Sequence, residues 1–497
     1  MLSDVLRSLA YCTPRSVRSG DEVALHLSAV DLSFVVEVVR DGPEPAVVWR
    51  RDGVRAATHD LPADAPENGC GWPVALTIPV DPAWRSGLYL VRCTPAGASE
   101  ADAPTAFFVV RAPAPSPDRM LLVLATTTWN AYNDAGGRNY YTGADTLSFE
   151  RPLCLGMLAK PAGDGERVAS VVPGSGADAY VLYTATHSLG MWHGMAGWAA
   201  WERRFACWAE VAGYALDYAT SEDLERVPDL LRPYRLVLSV GHDEYWSGGM
   251  RDAVESFVGA GGNVAFLSGN TCYWQIRLEG ARSVCLKHRF REDPAGDGPT
   301  TTTIWSDPRL GRPENALTGV SFTRGGYART ASSVPRGSGG YEVHRPDHWL
   351  FAGTELRRGD QLGAAPVVVG YECDGCALTL QDGLPVATGA DGTPPGFVVL
   401  ATAPATPFDA HTTPLPLAPG GEYELEFHAR TLLGSDDAAS CERLRHGHAV
   451  LGTYARGGTV VTTGCTDWAY GLDDPVVARV TRNLLERLGR GVTDAPG

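Results

Sequence analysis

Residues 236–278, LVLSVGHDEYWSGGMRDAVESFVGAGGNVAFLSGNTCYWQIRL, carry the clearest succession of apolar and polar blocks in the chain. The apolar run 236–240 is rich in Leu and Val and reads as a strand buried on both faces. It ends at Gly241, and His242, Asp243, Glu244, Tyr245 and Trp246 follow at once. Ser247 is placed to cap a helix whose apolar residues Met250, Val254, Phe257 and Val258 recur at helical spacing. Gly261 and Gly262 stop that helix. A second buried strand, 263–267, leads into Gly269, Asn270 and Thr271. The pattern predicts a β-α-β unit with polar residues just past the carboxyl ends of both strands, the edge at which open parallel sheets bind ligands.

The remaining chain divides by pattern. Residues 1–112 hold short apolar or alternating segments (22–28, 34–39, 47–50, 74–78, 87–93 and 106–111) separated by Gly, Pro and Asp. They predict a β-sandwich of immunoglobulin type, a scaffolding module. Residues 113–118 are a Pro-rich, extended linker. Residues 119–283 predict the first part of a doubly wound α/β domain: a buried strand over 120–129, a polar, Gly-rich loop over 130–141, and an amphipathic helix over 197–214. That helix carries Trp198, Trp201, Phe205 and Trp208 on one face, as core packing. A short strand at 216–220 and a short helix over 223–231 follow. Residues 284–443 are dense in Pro, Gly and Thr and predict a β-rich insertion with strands at 365–371, 397–402 and 423–429. Residues 444–497 return to α/β, with a strand over 458–464 and a closing helix over 475–488.

A chain of 497 residues exceeds one core, so two or three domains are expected. The net charge of −16 argues against a nucleic-acid partner and does not favour an anionic membrane surface. No apolar run of membrane-spanning length and no signal-peptide pattern is seen, which predicts a cytoplasmic protein. The eleven Cys form no framework. Cys373 and Cys376 make the one CxxC, without a second pair for zinc, so free thiols are expected.

No Gly-x-Ser-x-Gly elbow, P-loop lysine or HExxH is present. Cys272, three residues past Gly269, is displaced from the strand-to-helix turn a nucleophilic Cys of the amidotransferase kind would occupy. His242 and Glu244 are stronger candidates. Two apart in an extended segment, they point the same way, one as acid/base and the other as metal ligand or second base. The tyrosines of 130–141 matter for the same reason. A phenol ligates only when a strongly charged cation draws off its proton, and tyrosinate with carboxylate suits ferric iron better than zinc.

The segments SVGHDEYWSGGMRDAVESF, AFLSGNTCYW, WNAYNDAGGRNYY, WERRFACWAEVAGYALDYAT and GYECDG resemble the large-subunit carboxyl-terminal region of N,N-dimethylformamidase. The resemblance implies a glutamine-amidotransferase-like α/β fold behind a β-sandwich. It implies hydrolysis of an N-substituted formamide at a mononuclear ferric site held by two tyrosines and one glutamate. On this chain it implies Glu244 as carboxylate ligand, Tyr132 and then Tyr141 as phenolate ligands with Tyr140 behind them, and His242, Asn270 and Glu372 as catalytic residues. Arg151, Pro152 and Leu153 stand where many members read Arg-Pro-Tyr, so one tyrosine of the pattern is missing here. The expected partners are a small-molecule amide and a further copy of the chain or a small subunit. A metal-free binding homologue, or an enzyme of the same fold in secondary metabolism, are the alternatives.

Overall fold

The computed structural model describes residues 9–29, 33–96, 103–169, 176–296, 298–330, 337–409 and 423–489. The ends of the expected first and last units, residues 1–8 and 490–497, lie outside them. The chain is a mixed α/β protein with several sheets. The amino-terminal part forms two. One is three-stranded, with Glu22–Ser28 between Leu9–Thr13 and Leu76–Pro79; the other has five strands in the order Ser16–Arg18, Thr105–Arg111, Gly87–Pro95, Ser33–Arg40, Ala46–Arg55. Along two inner strands of the larger sheet alternate residues serve different cores. Tyr89, Val91, Phe108 and Val110 pack against the smaller sheet. Leu88, Leu90, Phe107 and Val109 pack against Leu122 and Trp129 of the rest of the chain. Burial on both faces is why these strands are nearly all apolar rather than alternating. Polar contacts reinforce the seam: Arg40 pairs with Glu210 at 2.7 Å, and Trp198 Nε1 donates to Asp41 Oδ2 at 2.7 Å.

Among the described residues the largest sheet has nine strands. Five are parallel, in the order Leu216–Thr220, Met120–Leu124, Leu236–His242, Asn263–Gly269, Gly458–Thr462. Leu236–His242 pairs in parallel with Asn263–Gly269, Leu236 opposite Asn263, as the β-α-β pattern predicts. In chain order the parallel strands read 2-1-3-4-5, which reverses direction between the first and third, Met120–Leu124 and Leu236–His242. A crevice at such a switch point is where ligands bind. Four antiparallel strands extend the sheet: Gly447–Arg456, Val398–Ala405, Tyr341–Val343 and Gln361–Leu362. Three of these come from the stretch read as a β-rich insertion. Helix Gly248–Gly259 is capped by Ser247, whose Oγ accepts from Met250 N at 3.2 Å. Among the described residues no helix is long and apolar enough to cross a membrane.

Several expected elements differ. The strand expected over 120–129 stops at Leu124, and Thr126–Tyr132 is a short helix. β-branched residues make poor helix, but these threonines have tertiary partners. Thr126 Oγ1 meets Ser221 Oγ at 3.1 Å, Thr127 Oγ1 donates to Tyr245 O at 2.7 Å, and Thr128 Oγ1 accepts from Glu244 N at 2.9 Å. The stretch 423–429 is not a strand: its alternation ends after five residues, and Glu424–Leu433 is a helix that buries Leu425, Phe427, His428 and Ala429. Residues 365–371 form turns, Val367 having φ +58°, and the strand there is Glu372–Gly375. The helix expected over 197–214 is shortened to Glu202–Val211 and that over 223–231 to Asp223–Arg226. Trp198, Trp201 and Phe205 are core residues, as expected, and Trp208 is half-buried against them.

Candidate active site

The switch point brings the end of helix Thr126–Tyr132 against the segment that follows Leu236–His242. Two glycines make the approach possible. Gly241 has φ +82°, and a Cβ there would stand 2.5 Å from Trp201 Cβ. At Gly269 a Cβ would stand 2.6 Å from Glu372 O and 2.6 Å from Thr466 N. The missing side chain at Gly269 therefore lets the Glu372–Gly375 strand lie across the carboxyl end of Asn263–Gly269. Asn270 and Cys272 follow in left-handed conformations, φ +48° and +56°, which residues with a Cβ adopt at a cost. Asp374 holds this turn, accepting from Asn270 N at 2.9 Å and Thr271 N at 3.1 Å. Cys272 N, Tyr273 N and Trp274 N donate to the Asp243 and Glu244 carbonyls at 2.9–3.0 Å. The two strand ends are thus locked together by main chain.

Three oxygen-bearing side chains converge here. Tyr132 Oη donates to Glu244 Oε2 at 2.9 Å. Tyr141 Oη lies 3.2 and 3.0 Å from the two Glu244 oxygens and within hydrogen-bond reach of Tyr132 Oη. Trp192 packs on both phenol rings, at 5.8 and 5.3 Å between centroids. Tyr140, the third phenol considered, is elsewhere: its Oη donates to Ser283 Oγ at 2.8 Å. Leu153 packs against the core and offers no donor atom. Arg151 braces the loop instead, donating to Ala135 O at 2.6 Å and Asn130 O at 3.2 Å.

His242 and Glu244 share the chamber, with Nε2 3.4 Å from Glu244 Oε2. His242 Nδ1 is hydrogen-bonded to Met195 O at 2.7 Å, so Nδ1 carries a proton and Nε2 faces the carboxylates. Nε2 lies 2.6 Å from Glu372 Oε2, a close ion-pair contact that lacks the alignment of a hydrogen bond. Asn270 Nδ2 donates to the same Glu372 oxygen at 3.1 Å, and its Oδ1 has no hydrogen-bond partner among the described residues. All four residues are buried. Burial lowers the His242 pKa, but Glu372 and Glu244 outweigh it and raise it to about 9. Burial raises the Glu244 carboxyl, against the charges of Lys287 and His242. Burial, then the Glu244 charge, pushes both the Tyr132 and Tyr141 phenols well above their ordinary range.

Lys287 is the residue that sequence reasoning missed. Its Nζ donates to Tyr245 Oη at 2.8 Å and lies 3.6 Å from the centre of the Tyr141 ring and 4.8 Å from that of Trp274. Tyr245 Oη in turn reaches Tyr141 Oη at 3.0 Å. A Lys in the short charged run 287–293 gives no signal of this. Its φ of +35° is visible only in the fold.

The cysteines are free among the described residues. Cys373 and Cys376 are both buried, and burial pushes their thiols up, as it does that of Cys272, so none is an activated thiolate.

No three His, Cys, Asp or Glu among the described residues are grouped to hold a metal ion. The convergent donors are instead two phenols and a carboxylate. Each phenol oxygen lies about 3 Å from the Glu244 carboxylate, the spacing of neighbouring ligands around a small hard cation with metal–oxygen distances of about 2 Å, and the two phenol oxygens are closer still. Hard anionic oxygens are the donor type that suits ferric iron. On spacing and chemistry the residues present fit such an ion.

Residues 36–482 match the family described as N,N-dimethylformamidase beta subunit-like, C-terminal. An N,N-dimethylformamidase beta subunit of Paracoccus aminophilus is 27% identical over 306 residues, covering 56% of this chain and 35% of that protein. One of Alcaligenes sp. is 27% identical over 214 residues, covering 39% of this chain and 26% of that protein. The matched regions thus span about a third and a quarter of those relatives. With most of its length inside the family match, the chain belongs to the N,N-dimethylformamidase beta subunit-like family.

Proposed function

We propose that this protein hydrolyses the C–N bond of a small amide or N-substituted formamide, with mononuclear Fe(III) held by Tyr132, Tyr141 and Glu244. The observation that carries the reading is the convergence of these three oxygens beside the His242–Glu372 pair. The names of the two relatives support the reaction class. Bound there, ferric iron supplies a Lewis acid that polarises a carbonyl and acidifies water. The remaining work falls to the chain. His242 is anchored through Nδ1 to Met195 O, so only Nε2 can exchange a proton. Nε2 and Glu372 Oε2 lie 2.6 Å apart, and this pair accepts a proton from the attacking water and returns it to the departing amine nitrogen. Asn270 Nδ2 fixes the Glu372 carboxylate, and its Oδ1 orients the substrate. Trp192 and the buried aromatic wall keep bulk water out. A second copy or a small partner subunit belongs to the same reading, since both relatives are named as beta subunits.

Metal content, the visible spectrum and amine release from N-substituted formamides test this together. The expected results are about one iron per chain, a broad phenolate-to-ferric band, and turnover. Glu244→Gln and Tyr132→Phe should bleach the band and abolish turnover. His242→Ala should keep the colour and lose about 10²–10⁴-fold in rate. A colourless protein that is fully active would overturn the iron assignment. One observation favours a metal-free binding homologue: the Lys287 ammonium over the Tyr141 ring already supplies positive charge to this carboxylate cluster. Protein that carries no iron, gains none on reconstitution and releases no amine would decide for it.

A further inference from the structure

Helix Glu424–Leu433 meets Tyr327, the residue opposite Glu372 in the strand register, and its inner face leaves two polar atoms unused. Tyr327 Oη donates to Glu424 Oε1 at 2.8 Å. Glu424 Oε2 is sealed from solvent and has no hydrogen-bond partner among the described residues, although the residue as a whole is half-buried. One turn on, the fully buried His428 shares a 2.6 Å hydrogen bond between its Nε2 and Tyr273 Oη, and its Nδ1 likewise has no partner among the described residues. Residues four apart on a helix share a face.

Both side chains connect to the site through one aromatic residue. Tyr327 stands opposite Glu372 in the strand register, and its ring is 5.8 Å from that of Tyr371, itself 5.9 Å from the His242 ring. Tyr273 donates its backbone N–H to Glu244 O at 2.9 Å. Phe408, stacked on Tyr327 at 3.8 Å, makes this wall otherwise apolar. Buried polar atoms in folded proteins are mostly paired, so two atoms on one face without a partner among the described residues mark a place where a further group can bind.

The hydrogen-bond directions define that group. Glu424 Oε1 accepts from Tyr327, which leaves Oε2 to bear the proton of the neutral acid. His428 Nε2 is engaged by Tyr273 Oη, which leaves Nδ1 of the neutral imidazole as the ring atom open to a further group, and a hydroxyl meets either tautomer because it both donates and accepts. Burial supports both states, raising the Glu424 carboxyl to about 8 and lowering His428 to about 3.

We propose that Glu424, with His428, is a specificity-determining residue that binds an oxygen on the nitrogen substituent of the substrate. The preferred amide then carries a hydroxyalkyl or similar oxygen-bearing group rather than a purely aliphatic one. This rests on the amide-hydrolase reading above and names its substrate class.

The test compares N-(2-hydroxyethyl)formamide with N-propylformamide, which have the same number of heavy atoms in the substituent. The metal-loaded full chain should favour the hydroxyethyl substrate by about 10- to 100-fold in kcat/KM, chiefly through KM, the size of one buried hydrogen bond lost. Glu424→Leu should bring the ratio close to one, whereas Glu424→Gln, whose amide still donates, should keep most of it. Glu424→Ala replaces the Leu variant should that fail to fold. A parent ratio near one, or a ratio unmoved by Glu424→Leu or Glu424→Ala, overturns the specificity assignment while the hydrolase reading stands. If neither formamide is hydrolysed, the hydrolase reading falls, and this inference falls with it.

Discussion

Gly269→Ala tests whether the fold, rather than the loops alone, sets the position of Glu372. A Cβ at 269 would stand 2.6 Å from Glu372 O, 2.6 Å from Thr466 N and 2.8 Å from Cys465 C, where ordinary contact begins at 3.4 Å. All three are main-chain atoms, so no side chain can swing aside. The Glu372–Gly375 strand and the turn at 465–466 must retreat by most of an ångström. Overpacking of this kind costs about 1–3 kcal/mol. The retreat also carries Glu372 away from His242 Nε2, now 2.6 Å distant. A displacement of about 1 Å between reacting groups costs about 10²-fold in rate. The expected result is a lower denaturation midpoint together with a hundredfold slower formamide hydrolysis by protein that remains folded. Urea unfolding is the sensitive assay. At about 2.1 cal/mol/K per residue, a chain of 497 residues unfolding as one unit shifts by only about 1 °C per kcal/mol. Gly259→Ala is the control: nothing lies within 4 Å of its Cβ, and it ends a helix far from the chamber. It should be neutral or stabilising by up to about 1 kcal/mol, with an unchanged rate. Gly269→Ala with the parent's midpoint and the parent's rate would refute the argument that close backbone approach positions Glu372.

Three further outcomes follow from the same geometry. Burial pushes the Glu202 carboxyl up to about 8 although Trp129 Nε1 donates to it at 2.9 Å; the stability this contributes is full below about pH 4.5 and is lost as pH rises through 8, at no more than about 1.4 kcal/mol per unit. Glu202→Gln should therefore flatten the fall in urea midpoint between pH 5 and 8, and an unaltered slope would contradict the assignment. Tyr140→Phe removes only the bond to Ser283, so it should cost about 1 kcal/mol and leave metal content and any visible band untouched, in contrast to Tyr132→Phe. Cys272→Ala should retain turnover and iodoacetamide at neutral pH should not inactivate, because the thiol is buried and held protonated; inactivation traced by mass spectrometry to Cys272 would reopen the nucleophile reading.

The sequence was most legible where one physical cause dominates. The Leu236–His242 and Asn263–Gly269 strands are buried on both faces, so nearly every residue is apolar and the breaks at Gly241 and Gly269 stand out. The Ser247 cap reads from type and position alone. Helix Thr126–Tyr132 was not legible because its threonines are satisfied by Ser221, Tyr245 and Glu244, residues about a hundred positions away. Helix Glu424–Leu433 was misread because a window of seven residues fits both periods, and only the continuing apolar positions decide between them.

The site shows the same division. His242 and Glu244 could be placed together because extended geometry makes residues two apart point alike, and their side chains do meet, at 3.4 Å. Tyr132 and Tyr141 follow the neighbouring strand, so the parallel pairing of Met120–Leu124 with Leu236–His242 brings them within reach of Glu244. Glu372 lies more than a hundred residues further on, in a stretch with no periodic signature, and its place depends on a backbone-to-backbone contact that only a glycine at 269 permits. Lys287 depends on less still: a strained φ in a turn and an opening between Tyr141, Tyr245 and Trp274. The order of legibility therefore follows the number of independent tertiary contacts a residue needs. His242 and Glu244 need one strand, the tyrosines need one strand pairing, Glu372 needs a second strand laid across the sheet edge, and Lys287 needs three aromatic neighbours already in place.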